Sequence, residues 1–316
     1  MMYKKNKVVV VGSYNKDITI RTNRLPSRGE TVIGELINSG HGGKGANQAV
    51  AAARAGADVC FIACVGMDHN GDDAITALDK QGINIQLMKR DINQATGTAT
   101  IVVDSKGDNS IVVVPGANSN LLSQDIINYE KEIAASDILL LQLELPMETV
   151  LTAASLANKH NLKVILNPAP AQNIPTEIYN YVNIITPNRI ETELLTGIQI
   201  NTEESMRNAA SIFLERGIES VLMTLGSDGV FASHNREYQL ISANAVDVVD
   251  STGAGDVFNG VFTATINNDF SNLSQSAIFA SKAATLSVKK VGAQQSIPYS
   301  NEIHDFISTL PEKIQI

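Results

Sequence analysis

The chain has 316 residues, 44% hydrophobic and 18% charged, which supplies core for one large domain or two and rules out intrinsic disorder. With 24 basic against 33 acidic side chains the net charge is −9, which argues against a partner held by neutralising phosphates over a wide face, so no nucleic acid is expected. The longest apolar run, Val59–Val65, falls far short of the ~20 residues needed to span a bilayer. Val8–Val11, the apolar stretch behind the charged N-terminus, is too short for a signal peptide. No membrane association and a cytoplasmic location are the expectation.

In chain order, Val8–Val11 predicts a buried strand, and Asp17–Gly40 shows β-type alternation interrupted by turn residues. The alanine-rich Asn47–Gly56 predicts a helix closed by Gly56. Val59–Val65 predicts a second strand and carries both cysteines, Cys60 and Cys64. Their period-2 spacing turns them the same way, as buried reduced thiols rather than a disulfide or metal site. A helical stretch follows near Asp72–Gln81. Within Thr96–Gly116, Thr98–Val103 and Ser110–Val114 flank a turn at Asp104–Asn109, a hairpin signal. Strands at Ile138–Leu141, Lys163–Leu166, Ile184–Thr186, Ser220–Thr224 and Val246–Val249 then alternate with helices at Thr149–His160, Glu203–Arg216, Asp256–Ile266 and Gln275–Val288.

Short apolar strands separated by long helices predict an α/β fold with a mainly parallel sheet covered on both faces. Residues 17–40 and 96–116 break the rhythm. They read either as a small β lid that sheds water from a site beneath it or as plain edge strands. Residues 1–16, 41–95 and 117–316 make up the expected core. His41, His69, His160, His234 and His304 show no metal-ligand spacing, and there is no tryptophan to stack a sugar.

Four glycine-rich or polar loops could carry chemistry. Gly40, Gly42 and Gly45 match the dinucleotide fingerprint formally, but a strand and a β-rich segment already precede them, where the fingerprint belongs at the first strand-to-helix turn. Nor is Gly43-Lys44-Gly45 a P-loop. What remains is an exposed backbone at a helix start, with Lys44 and Asn47 as donors suited to a polyol or anion. Asp250-Ser251-Thr252-Gly253-Ala254-Gly255-Asp256 converges amides on a helix N-terminus, and Asp256 there is either a helix-end residue or a base beside a phosphate cradle. Asn188 and Glu191 read as a capping pair or as oxygens for a hydrated magnesium ion. Thr224–Gly229 is a nucleotide turn or an ordinary hairpin turn.

Together with Gly12–Asp17, Gln142-Leu143-Glu144, Asn167–Pro170, Thr186-Pro187-Asn188 and Gly292-Ala293-Gln294, these loops resemble the ribokinase branch of the PfkB-type sugar kinases, nearly end to end. The resemblance implies a ribokinase-like three-layer α/β/α (Rossmann-like) core with a small β-sheet lid, often a homodimer packed lid on lid. It also implies ATP-dependent phosphorylation of the ribose 5-hydroxyl. By that resemblance Asn15, Lys16, Asp17, Gly43, Lys44, Gly45, Ala46, Asn47 and Glu144 would hold the sugar. Asp256 would be the base, with Gly253, Ala254 and Gly255 as anion hole. Thr224, Leu225, Gly226, Ser227, Asp228 and Gly229 would follow the nucleotide, with Asn188, Gly255, Asp256 and Ser281.

Asn188 and Glu191 would act on magnesium through water, and Asp250, Thr252, Ser287, Lys290, Gly292 and Ser296 would hold potassium. Three positions depart from the family: Ser251 for the usual threonine, Asp228 where relatives often carry a basic residue, and Ser281 where they often have Asn or His. Within the class, 2-deoxyribose, another pentose or a nucleoside is the alternative substrate. Outside it stand a dinucleotide-dependent oxidoreductase and a silent sugar-binding regulator.

Overall fold

The computed structural model describes residues 5–310; the outermost parts of the expected core, 1–4 and 311–316, lie outside the described residues. The chain opens with β1 (Lys7–Val11), then leaves it for β2 (Asn15–Thr22) and β3 (Gly34–Gly42). It returns through α1 (Lys44–Arg54) to β4 (Asp58–Ile62), β5 (Cys64–Gly66), α2 (His69–Asp79) and β6 (Lys89–Asp91). A hairpin, β7 (Thr98–Val103) and β8 (Asn109–Val114), leads to α3 (Ser123–Asn128), α4 (Glu130–Ala134) and β9 (Ile138–Leu141). Then come α5 (Met147–Lys159), β10 (Lys163–Leu166), β11 (Ile184–Ile185), α6 (Arg189–Thr196), α7 (Glu203–Glu215) and β12 (Ser220–Thr224). The chain continues with β13 (Val230–His234), β14 (Glu237–Ile241), α8 (Ala254–Thr265), α9 (Leu273–Ser287), α10 (Ala293–Ser296) and α11 (Ser300–Thr309).

Eight strands form the main sheet in the order β14-β13-β12-β11-β10-β9-β1-β4. All neighbours from β4 to β12 are parallel, and β13 and β14 close one edge antiparallel. Strand alternation divides the core in two. Val8 and Val10 face one layer with α1, α8 and α9, while Val9 and Val11 face the other with α5 and α7. Burial on both faces explains why the strands read as unbroken apolar runs. The α/β expectation holds, with helices on both faces. No helix among the described residues is long and apolar enough to cross a membrane.

The two β-rich segments meet in a separate four-stranded sheet, β3-β2-β7-β8, in which β2 pairs parallel with β7 and antiparallel with β3. The expected hairpin is β7–β8.

Several boundaries differ from the sequence reading, one expected strand is absent, and β6, β13, β14, α3, α4 and α11 are additional elements. Val246–Val249 is not a strand: Val248 and Val249 are 63% and 59% exposed, and the segment is held by Val249 and Asp250 N–H groups donating to Val288 O. The sheet edge beyond β12 is taken instead by the hairpin β13–β14, whose turn residues Asn235 and Arg236 both have positive φ, 51° and 63°. Val59–Val65 splits after Ile62, because Cys64–Gly66 pairs with β6 in a small sheet of its own. Cys60 and Cys64 are free thiols. Five helices start early: α1 at Lys44, α2 at His69, α5 at Met147, α8 at Ala254 and α9 at Leu273.

Candidate active site

The site forms where α1 and α8 point their N-termini at one place. Gly43, the N-cap of α1, has φ 86°, and a Cβ there would lie 2.7 Å from Asn15 N. A Cβ on Gly45 would meet Gly12 C and Ser13 N at 2.6 Å. Only glycine lets the start of α1 lie against the β1–β2 connection this closely. Ala46 N–H donates to Ser13 O at 2.9 Å. Glu144, behind β9, accepts from Ser13 Oγ and from the Lys44 amide at 2.9 Å. One carboxylate thereby ties three chain segments together.

Asp256 sits in the first turn of α8 and is 7% exposed. Its Oδ2 accepts from Asn47 Nδ2 and its Oδ1 from Gln48 Nε2, each at 2.9 Å. Gln48 is fixed in turn: its Nε2 also reaches Asn167 Oδ1 at 3.0 Å and its Oε1 accepts from Gln142 Nε2 at 2.6 Å. Asn259, one turn on, accepts from Thr186 Oγ1 and donates to Gly255 O. The reactive end of α8 is therefore bolted to α1 and to the ends of β9, β10 and β11.

The acids are close enough to act on one another. Burial first, then Glu144 and Asp256, push Asp17 up to about 7. Burial raises Glu191, with Asp256 adding to it and the Asn188 N–H and Lys44 opposing. For Lys44, burial acts downward, but Asp256, Glu144 and Glu191 outweigh it and its pKa is raised. A half-buried ammonium thus stands among three carboxylates.

A cleft of about 730 Å³ opens from this group. Lys44, Asn188, Glu191, Thr224, Gly226, Ser227, Gly229, Gly253–Asp256 and Ser281 all line it. The first-turn N–H groups of α8 that lack intrahelical acceptors face it. Ala254 N–H differs, bending back to Ser251 O at 3.2 Å. The capping reading of Asn188 and Glu191 holds: Asn188 N donates to Glu191 Oε2 and Glu191 N to Asn188 Oδ1, in side chains that also line the cleft.

The profile of the pfkB family carbohydrate kinases matches residues 5–299. The chain belongs to this family of carbohydrate kinases. It is 42% identical to the ribokinase of Haemophilus influenzae over 96% of this chain and 99% of that one. It is 33% identical to the deoxyribokinase of Salmonella typhi over 95% and 98%. The structure of Arabidopsis thaliana ribokinase complexed with ribose and ATP superposes with a TM-score of 0.87 at 32% identity, covering 96% of this chain and 99% of that chain.

Within this carbohydrate kinase, the sugar-side residues expected from sequence do not all converge. Asn47 bonds to Asp256, Glu144 bonds to the Lys44 amide, and Asp17 is close enough to feel both Glu144 and Asp256, while Gly43, Gly45 and Ala46 pack against Gly12–Asn15. Lys16, between Asn15 and Asp17 on β2, reaches instead toward Asp73 on α2 at 3.8 Å. On the nucleotide side, Leu225 is core. Asp228 faces away into a neighbouring depression and pairs with Arg189 at the start of α6. The unusual acid is thereby neutralised by a basic partner.

Among the residues expected to hold potassium, three segments come together but not three sets of side chains. Asp250 Oδ1 accepts from Thr252 N and Oδ2 from Gly292 N, both at 2.9 Å. Although burial opposes it, these bonds hold Asp250 below the usual carboxylate range. Ser287 and Ser296 bond to carbonyls of their own helices and Lys290 bonds to Glu302. Among the described residues no cluster of three His, Cys, Asp or Glu side chains could hold a metal ion.

The fingerprint glycines Gly40 and Gly42 lie in β3, a strand of the second sheet. They do not follow a parallel strand of the main sheet, which removes the context a dinucleotide loop needs. Sequence reading assigned no role to Asn118, which donates to Asn15 Oδ1 and Tyr14 O and accepts from Tyr14 N. Nothing in local pattern marks it, since its partners lie over a hundred residues upstream. Gln48, Gln142 and Asn167 stood in recognised motifs, but their shared bond network is visible only in three dimensions.

Proposed function

We propose that this carbohydrate kinase transfers the γ-phosphoryl group of ATP to the 5-hydroxyl of D-ribose, giving ribose 5-phosphate and ADP. The observation that carries the reading is the position of Asp256, between the Asn15–Asp17–Glu144 group and the cleft lined by Thr224, Gly226, Ser227 and Gly229. The relatives named above support the substrate. Asn15, Asp17, Glu144 and the Gly43–Asn47 segment would hold the sugar hydroxyls, since carboxylates and amides suit a small polar ligand and a missing hydroxyl leaves them unpaired.

Asp256 accepts the 5-hydroxyl proton as the oxygen attacks phosphorus and the bond to the ADP oxygen breaks. The transition state is loose, so the proton moves late, and a carboxylate serves both to orient and to accept. Free amides among Gly253–Gly255 and the α8 dipole would stabilise charge on the transferring group. Lys44 adds positive charge on the same side.

A divalent ion, magnesium, fits Asn188 and Glu191 through water, because each carboxylate oxygen has one lone pair committed within the cap and another to spare. When bound it would neutralise phosphate charge. Potassium would sit where Asp250–Thr252 meets 287–296, held by main-chain oxygens, because Ser287, Lys290 and Ser296 direct their side chains elsewhere. The second sheet would act as a lid over the sugar. Ile33, Leu36, Ile37 and Ile111–Val114 are exposed on it, an apolar surface suited to a second copy packed lid on lid.

The test is ADP release with Mg-ATP over ribose, 2-deoxyribose, fructose and adenosine, each with and without potassium. Preference for ribose with potassium stimulation is expected. Preference for 2-deoxyribose, the reading that the Salmonella typhi relative favours, keeps the chemistry and changes the sugar contacts. Silence on all four overturns the kinase reading.

A further inference from the structure

One charged residue near the cleft has no part in the chemistry above. Lys282 on α9 is only 4% exposed. Among the described residues no carboxylate pairs with it, and its Nζ donates to Asn244 Oδ1 at 2.6 Å. Burial lowers its pKa. An ammonium buried with one neutral acceptor costs stability, and the other buried residues of α9 are small or uncharged, so none of them balances its charge. What it does is fix Asn244, which lines the cleft beside Ala243, Ala245 and Val246.

The physical consequence concerns the direction of an amide. An asparagine side chain can turn its oxygen and nitrogen either way at little cost unless a partner decides. An ammonium is donor-only, so the Asn244 oxygen must face Lys282 and the NH2 group must face away from it. The α9 wall of the cleft is otherwise poor in donors. Ala284 and Val288 are apolar, Thr285 bonds to the Ser281 carbonyl at 2.9 Å, and Ser281 carries only a hydroxyl. Val230, Val248 and Phe258 add apolar lining to the same cleft of about 730 Å³.

We infer that Asn244 reads the nucleobase of the phosphoryl donor by donating to a ring acceptor of the purine, and that Lys282 is the positioning residue that keeps its amide turned for this. The inference rests on the proposed kinase reading. It assigns the base contact to a loop residue and to the α9 lysine bonded to it on the same wall of the cleft.

The test is calorimetric binding of ADP and of its 1-deaza, 3-deaza and 7-deaza analogues, without sugar, to the whole protein. Asn244→Ala, Asn244→Asp and Lys282→Met are compared with wild type, and melting curves establish that each variant is folded. Wild type should bind one deaza analogue roughly tenfold more weakly than ADP, the loss of one hydrogen bond in a buried site. Asn244→Ala should bind ADP equally weakly and no longer distinguish that analogue. Asn244→Asp, which keeps the shape and gains an ion pair with Lys282, should lose as much as alanine because it offers no donor. Lys282→Met should fall between, and the nucleotide KM should rise in all three while the sugar KM does not follow.

The inference fails if wild type binds all three analogues as well as ADP, or if folded Asn244→Asp and Lys282→Met bind ADP normally. If wild type binds no ADP at all, the kinase reading fails with it. If wild type turns over ribose and only the variant effects are missing, the kinase reading stands and this inference alone falls.

Discussion

Asn47 and Asp256 lie 209 positions apart in the chain and touch side chain to side chain, Asn47 Nδ2 donating to Asp256 Oδ2 at 2.9 Å. Gln48 holds the other oxygen at the same distance. The carboxyl group therefore cannot rotate without breaking bonds to two consecutive residues of α1. This is the kind of preorganisation that phosphoryl transfer rewards, because positioning and electrostatics supply most of its catalysis.

Replacing Asp256 with asparagine tests the base. Asp256→Asn should lower kcat by roughly 10²–10⁴-fold while ribose affinity changes far less. Steady-state kinetics with calorimetric sugar binding gives both numbers. A variant with near-normal kcat would reduce Asp256 to a helix-end residue.

If Asp17 holds the sugar as proposed, sugar binding should depend on pH. With its pKa pushed up to about 7, it is protonated below that and loses an acceptor for hydroxyl donors. The ribose KM should therefore rise as pH falls from 8 to 6, by roughly tenfold, and Asp17→Asn should flatten the profile at the high-KM level. Stability moves the opposite way. The folded carboxyl keeps its proton up to about 7, while an unfolded one releases it near ~4. The folded state thus loses stability as pH rises from about 4 to 7, and Asp17→Asn should remove that slope in thermal melts.

A charge on the second sheet tests the lid-on-lid dimer. Val112 is 63% exposed on β8, so Val112→Glu should leave the monomer folded and place a carboxylate in the proposed contact. Sedimentation should show dissociation, and the ribose KM should increase. A variant that keeps the wild-type mass in solution would mean that the dimer, if formed, uses another surface.

Gly43 supports the sugar side through backbone conformation alone. Gly43→Ala must hold an L-residue at φ 86° with its Cβ 2.7 Å from Asn15 N. The strain, on the order of 1–3 kcal/mol, should appear as a lowered Tm. The ribose KM should rise with it, because the Lys44 amide bonded to Glu144 follows directly in the chain. Normal Tm and KM would show that this approach relaxes freely.

The alternating strand and helix pattern was legible in sequence because both sheet faces are buried: Val8–Val11, Ile138–Leu141 and Lys163–Leu166 read as apolar runs, and β7–β8 announced its own turn. The loops that gather at the site, Gly43–Asn47 and Gly253–Asp256, were legible for the same local reason, since glycine at a helix start exposes amides. Val246–Val249 misled because a short apolar run reads the same whether or not a strand is beside it to pair with.

What only the tertiary structure decided depends on partners far apart in the chain. Local residue types do not reveal that Lys16 leaves the site for Asp73, that Asp228 turns to Arg189, or that Lys282 aims the amide of Asn244. The helix start that presents Asp256 is a property of its own neighbours. The Gln142–Gln48–Asp256 chain of bonds exists because parallel strands end together at one edge of the sheet, bringing side chains from β9, α1 and α8 within hydrogen-bond reach.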